Sequence, residues 1–258
     1  KFYVEQNVLS RPPYNFWFQI YNAIEQQRMR SYIKESDKMT FSATRPLEKN
    51  RESYVLVIGE SLRYDNLSLA GYHRNTTPLL GSLEDLTLFS DYYSSANLTM
   101  FSVPQIITRA TADNFMLNYK EKSIIKPFQE CGFKAFVICA GNLLCEKSSS
   151  YLIDGCDGVF AFGADGDAKI AGVVDSLVAI YPKTFFVIQF KGNHGPYDNF
   201  GQEHNAYRPN PVYDKVPWTN HEAMVNAYDN TVLFTDYNVY HIIKAIDKPG
   251  YQSAFLMV

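Results

Sequence analysis

Uninterrupted apolar runs punctuate the chain from residue 54 onward: Tyr54–Ile58 (YVLVI), Lys134–Cys139 (KAFVIC), Thr184–Phe190 (TFFVIQF) and Ser253–Val258 (SAFLMV). Each is short, bounded by turn residues and free of polar alternation, the pattern of strands buried on both faces of a parallel sheet. Helical candidates lie between them at Met100–Arg109, Ser123–Glu130, Ala168–Ile180 and His221–Ile246. In the last, Met224, Tyr228, Val232, Thr235, Val239, Ile242 and Ile246 recur at helical spacing. Strand–helix alternation of this kind predicts an α/β fold, a mainly parallel central sheet sandwiched by helices in a doubly wound arrangement.

Two stretches depart from that rhythm. Before residue 51, Pro12-Pro13 blocks an early helix, and Asn15 is placed to cap one running from about Phe16 to Ile33. Phe16, Trp17, Ile20, Tyr21 and Ile24 share one face of it, followed by Arg28, Arg30 and Lys34. Such a stripe belongs either to a helix lying on a bilayer or to one packed on the main domain. Residues 34–52 are polar and read as a linker, so the expected division is 1–50 as juxtamembrane helix and linker and 51–258 as the α/β domain. The second departure is residues 191–220, thirty residues with four prolines and seven aromatic or histidine side chains. A loop that long inside a compact domain points to function.

Composition narrows the class. A chain of 258 residues buries roughly 70–75% of its unfolded surface and needs no staple to fold. The net charge of −3 supplies no basic excess for phosphate backbones, so no nucleic-acid partner is expected. Aromatic residues reach 15%. No apolar run approaches the ~20 residues of a membrane span. The first residue, Lys1 rather than Met, reads as a cut from something longer. Cys131, Cys139, Cys145 and Cys156 lack CxxC spacing, which leaves bridges in an oxidising compartment or buried thiols.

Sites in open α/β sheets collect at the carboxyl ends of strands. Glu60 stands just past the first run, either as a solvated turn residue or as a hard ligand for a divalent cation. Thr99 closes a hydroxyl-rich stretch that enters a helix; its side chain reads first as a cap, and beside a metal it would become a nucleophile. His194 lies in Gly192-Asn193-His194-Gly195-Pro196, directly after a strand, in a catalytic or simply hydrogen-bonded role. There is no G-x-S-x-G elbow and no GxxxxGK[ST] loop.

Together, VLVIGESLRYDNLSLAGYHRNTTPLL (55–80), TMFSVP (99–104), GNHGP (192–196) and NAYDNTVLFTDYNVYHII (226–243) resemble the phosphoethanolamine transferases of the alkaline phosphatase/sulfatase superfamily. That group includes the lipid A modifying enzymes behind polymyxin resistance. The resemblance covers about four-fifths of the chain, and it lacks the C/S-x-P-x-R signature of sulfatases proper. It implies Glu60 and Thr99 as zinc ligands, Thr99 as the nucleophile, and Asn142, Lys147 and His194 as substrate-binding residues, Lys147 being offset by one from the family position. It further implies phosphatidylethanolamine as donor, an envelope lipid or glycan as acceptor, a phospho-Thr99 intermediate, and an inner-membrane protein whose catalytic domain faces the periplasm.

Ser95 and Gln105 stand where many relatives place a cysteine pair, whereas Cys145 and Cys156 flank a segment bridged in relatives, which makes them the expected disulfide, with Cys139 a buried thiol. Family members follow a strand like SAFLMV with Asp-His-Gly-Glu, which completes the zinc site. The chain ends at Val258, so the resemblance implies weak or absent zinc binding and an inactive domain in this form. A phosphoglycerol transferase or phosphodiesterase, and a metal-free binding domain, are the competing readings.

Overall fold

The computed structural model describes residues 14–46, 50–141, 143–146, 149–163 and 166–258. Helix α1 (Tyr14–Ser36) opens the chain, followed by β1 (Arg51–Ile58), α2 (Thr99–Ile107), α3 (Leu117–Lys120) and α4 (Ile125–Glu130). Then come β2 (Lys134–Ala140), β3 (Gly158–Phe162), α5 (Asp167–Ile180), β4 (Lys183–Gln189), α6 (His221–Ile246) and β5 (Tyr251–Met257). The five strands form one sheet in the order β3-β2-β4-β1-β5, with every pairing parallel. The apolar runs are strands for the reason the pattern gave: alternate side chains leave opposite faces, and both faces are covered. Val55, Val57, Ile138, Phe186 and Ile188 pack on α5 and α6 through Ile170, Val174, Val239 and Ile242. Leu56, Ile58, Val137 and Val187 pack on α2 and α4 through Val103, Ile107 and Ile125.

Several expectations change. Gly158–Phe162 is a strand that the apolar pattern does not reveal, because it lies at the sheet edge with alternating half-buried and exposed residues. The last run, β5, is the opposite edge, and its Leu256 is exposed rather than covered on both faces. Helix α1 starts at Tyr14, so Asn15 lies in its first turn rather than at its cap, and Pro12-Pro13 lies outside the described residues.

The disulfide joins Cys139 to Cys145, whose Cα atoms are 6.2 Å apart, and Cys131 and Cys156 are free thiols. The expected Cys145–Cys156 pair is therefore replaced, and Cys139 is no thiol. The physical reason is the turn after β2: Gly141 takes φ +83°, the left-handed conformation glycine adopts without penalty. That turn brings the short helical turn Leu143–Cys145 back over the strand it follows.

The polar stretch after α1 is fastened to the domain. Glu130 accepts hydrogen bonds from Thr40 Oγ1 (2.8 Å) and from the amides of Phe41 (3.0 Å) and Ala43 (2.8 Å). Lys122 Nζ reaches Asp37 (2.6 Å) and Asp154 (2.7 Å), and Arg45 forms a two-pronged ion pair with buried Glu52.

Candidate functional site

The carboxyl ends of adjacent strands β1 and β4 converge with the start of α2. Glu60, two residues beyond β1, accepts a hydrogen bond from Thr99 Oγ1 at 2.9 Å through Oε2, and one from Ser61 Oγ at 2.9 Å through Oε1. Both Glu60 and Thr99 are half-buried. Thr99 is the first residue of α2, and Leu98 holds the cap position without a side-chain bond. Its side chain therefore does not cap the helix, as its residue type alone suggested; it turns to the carboxylate instead. The first-turn amides of any helix lack intrahelical acceptors and favour anions, so the Thr99 hydroxyl is set where an anionic group is welcome.

The β4 loop is held close to the same carboxylate. Asn193 N–H donates to Glu60 O at 2.9 Å, and Phe190 N–H donates to Ile58 O at 3.1 Å. Gly192 takes φ +52°, and a Cβ there would sit 3.0 Å from Glu60 O. A side chain would push the two loops apart, so glycine is needed for the approach as well as for the backbone angle. His194 is exposed, with Nδ1 2.6 Å from Gly195 O. A carbonyl only accepts, so Nδ1 carries the hydrogen of this bond.

Beneath this loop, buried Asp167 accepts from Lys191 N (3.1 Å), Gly192 N (2.9 Å) and Asn199 Nδ2 (2.6 Å). Burial pushes its carboxyl above the ordinary aspartate range, against those bonds. Asn193, fully buried, donates through Nδ2 to Thr231 Oγ1 (2.7 Å) and accepts from Thr235 Oγ1 (3.2 Å), both on α6.

Ser61 has φ +55°, a left-handed conformation costing an L-residue about 1–2 kcal/mol. Such strain persists only where neighbours over-determine it. The structure thus brings Glu60, Thr99 and the backbone ahead of His194 together. Asn142 and Lys147 lie outside the described residues. Ser61, Asn193 and Tyr228 were within the quoted motifs but carried no assigned role; their signal was position inside GES, GNHGP and NAYDN rather than side-chain type.

Two oxygen donors one hydrogen bond apart suit a divalent cation. Among the described residues no group of three or more His, Cys, Asp or Glu side chains comes together as a metal cage. Glu60 and Thr99 are half of the four donors zinc takes, and by themselves they do not fit a complete zinc site.

Comparison with known proteins gives the family and the fold. A family model described as Sulfatase matches residues 52–258. The phosphatidylethanolamine transferase Mcr-1 of Escherichia coli is 24% identical over 227 residues, 77% of this chain and 40% of that protein. Phosphoethanolamine transferase EptA of Helicobacter pylori is 29% identical over 207 residues, 75% of this chain and 38% of its own. The chain thus spans about two-fifths of the length of these relatives. Among solved structures, the zinc complex of the C-terminal periplasmic domain of EcEptC from Escherichia coli superposes with TM-score 0.69 at 21% identity, covering 85% of this chain and 65% of that one.

Proposed function

The chain belongs to the sulfatase family, and on that premise we propose that it serves transfer of phosphoethanolamine from phosphatidylethanolamine to an envelope acceptor such as lipid A or a glycan. The observation that carries the reading is the 2.9 Å hydrogen bond from Thr99 to Glu60 at the carboxyl edge of the sheet. It orients one hydroxyl at a helix N-terminus, and the relatives that share the fold carry transferase names. Thr99 Oγ attacks phosphorus; the new bond is Thr99 O–P, the bond that breaks is the one to diacylglycerol, and the departing oxygen takes up a proton. The acceptor hydroxyl or phosphate then displaces Thr99 in a ping-pong scheme. Glu60 holds the threonine hydroxyl by its hydrogen bond, and exposed His194 serves substrate binding. The zinc complex named for a fold neighbour supports Glu60 and Thr99 as two donors of a metal site.

We further assign residues 1–50 to a juxtamembrane element and 51–258 to the catalytic domain, in a protein of the inner membrane facing the periplasm. The Cys139–Cys145 disulfide supports an oxidising compartment. The exposed face of α1 supports a lipid surface beside it: Phe16, Trp17, Tyr21 and Ile24 are 62, 66, 61 and 58% exposed. Among the described residues no helix is long and apolar enough to cross a membrane.

The test is transfer of headgroup-labelled phosphatidylethanolamine in cells expressing the protein. Label is expected on the Thr99 peptide, and Thr99→Ala is expected to lower transfer at least about a thousandfold. Retained activity in Thr99→Ala would overturn the nucleophile and favour a binding domain. Glycerol phosphate in the product would move the substrate assignment to phosphoglycerol transfer.

A further inference from the structure

The motif Asn226–Ile243 resembles the family without bearing any reacting group, and its residues point to a separate task. Tyr228 on α6 is 7% exposed, and its hydroxyl is placed between two backbone groups of the β1 loop. It donates to Ser61 O (2.8 Å) and accepts from Arg63 N–H (2.8 Å). A single phenol thus closes the turn over residues 61–63, in which Ser61 is left-handed. Ser61 Oγ in turn donates to Glu60 Oε1, while Thr99 donates to Oε2.

The same ring meets the second loop. Tyr197, three residues after His194, packs edge-on against Tyr228 with ring centroids 5.1 Å apart. One and two turns along the helix, Thr231 and Thr235 hold Asn193, whose backbone amide donates to Glu60 O. Next to Tyr228, fully buried Asp229 accepts from Asn66 (2.9 Å), Tyr72 (3.0 Å) and Arg74 (2.8 Å), so the chain leaving the turn is anchored as well.

We propose that Tyr228 is the positioning residue of the site, fixing the Ser61 turn so that Ser61 Oγ aims the Glu60 carboxylate at Thr99. This rests on the transferase reading above and deepens it. Burial pushes the phenol up to about 12, so the hydroxyl keeps its proton across the physiological range. The role differs from packing, because the ring and the hydroxyl do separate things. The ring fills space against Tyr197, whereas the hydroxyl satisfies one carbonyl and one amide that set a strained turn.

The experiment is a double-mutant cycle of Tyr228→Phe and Ser61→Ala in the full protein, with wild type and Thr99→Ala in parallel. Tyr228→Phe keeps the ring, and its kcat for transfer is expected to fall about tenfold to a hundredfold with KM for the donor little changed. Ser61→Ala is expected to fall similarly, and the double variant no further than the larger single loss, because both act on one carboxylate. Deuterium exchange at amides 60–63 is expected to accelerate in Tyr228→Phe while the strands keep their protection.

Additive losses, a KM effect with unchanged kcat, wild-type activity in Ser61→Ala, or unchanged exchange at 60–63 would each overturn the positioning role. The exchange readout stands if a variant is inactive. Loss of activity in Thr99→Ala alongside normal Tyr228→Phe would overturn this inference and leave the transferase reading intact. Equal activity in wild type and Thr99→Ala would overturn that reading instead.

Discussion

The two longest helices treat their side chains in opposite ways. Helix α1, 23 residues long, leaves Phe16, Trp17, Tyr21 and Ile24 in solvent, whereas α6, 26 residues long, buries Asn226, Asp229, Asn230, Thr231, Thr235, Asp236 and Asn238. Burial of polar groups is tolerated only when they are hydrogen-bonded, and on α6 they are. Asn226 donates to Pro209 O, Asn230 accepts from Tyr207 N–H, and Asp236 receives the amides of Leu79 and Leu80. Each bond ties the helix to the segment between β1 and α2 or to the segment 205–209. The apolar residues of α6 face the sheet, and its polar face organises the loops that carry the site. The apolar residues named in the first half of α1 stand in solvent, and nearer its end Tyr32 meets Lys120 of α3. Hydrophobicity alone does not separate the two; what separates them is whether the neighbouring segments supply partners.

The contrast breaks most sharply at Asp229. Asp229→Ala leaves Arg74, Tyr72 and Asn66 without their shared acceptor, and removing one member of a buried ion pair costs about 3–5 kcal/mol. Urea unfolding is expected to show that loss, and a cost below 1 kcal/mol would mean that the polar face of α6 is dispensable.

A smaller effect lies in the strap between α1 and β1. Arg45 holds the buried Glu52 carboxyl below its usual value near 4.5, the hydrogen bond from the guanidinium outweighing burial. A lowered folded-state value contributes stability that is present above 4.5 and lost as the pH falls below it. Arg45→Met is therefore expected to cost about 3 kcal/mol at neutral pH, with the deficit shrinking at pH values under that point. Thermal melts of both proteins across the acid range measure it, and a deficit independent of pH would contradict the ion pair.

The smallest effect is expected on α1. Phe16→Ser with Trp17→Ser is expected to leave stability within about 0.5 kcal/mol, while lowering sedimentation with phosphatidylethanolamine vesicles. A large stability loss would show that this face is packed within the protein after all.

These helices also mark how far the sequence was readable. Buried strands announced themselves because covering both faces leaves no polar position, and His221–Ile246 was bounded correctly by its periodicity. The edge strand Gly158–Phe162 escaped because one of its faces is open and its pattern resembles a turn. The buried polar face of α6 escaped because Asn, Asp and Thr at helical spacing look like a solvated face until the loops beside them are known. Glu60 and Thr99 were paired only through family likeness, since nothing in residue type links a carboxylate to a hydroxyl 39 positions away. The disulfide was misassigned because its pairing depends on the reversal at Gly141, which cysteine spacing does not encode.

The sheet order has a consequence for how the chain acquires its shape. Strand β1 sits between β4 and β5, both supplied much later; Ser53 meets Thr184 across 131 residues. Loop closure over such spans is slow, so Val55–Ile58 stays an unpaired apolar edge until β4 and β5 are available. During synthesis that segment is the one most open to wrong partners. The pairing of β1 with β5 also brings the carbonyl of Val258 to the amide of Gly59 at 2.8 Å, next to the carboxylate. Assembly of the candidate site is thus coupled to the pairing of strands far apart in the chain, and a chain in which β1 is still unpaired has no formed site.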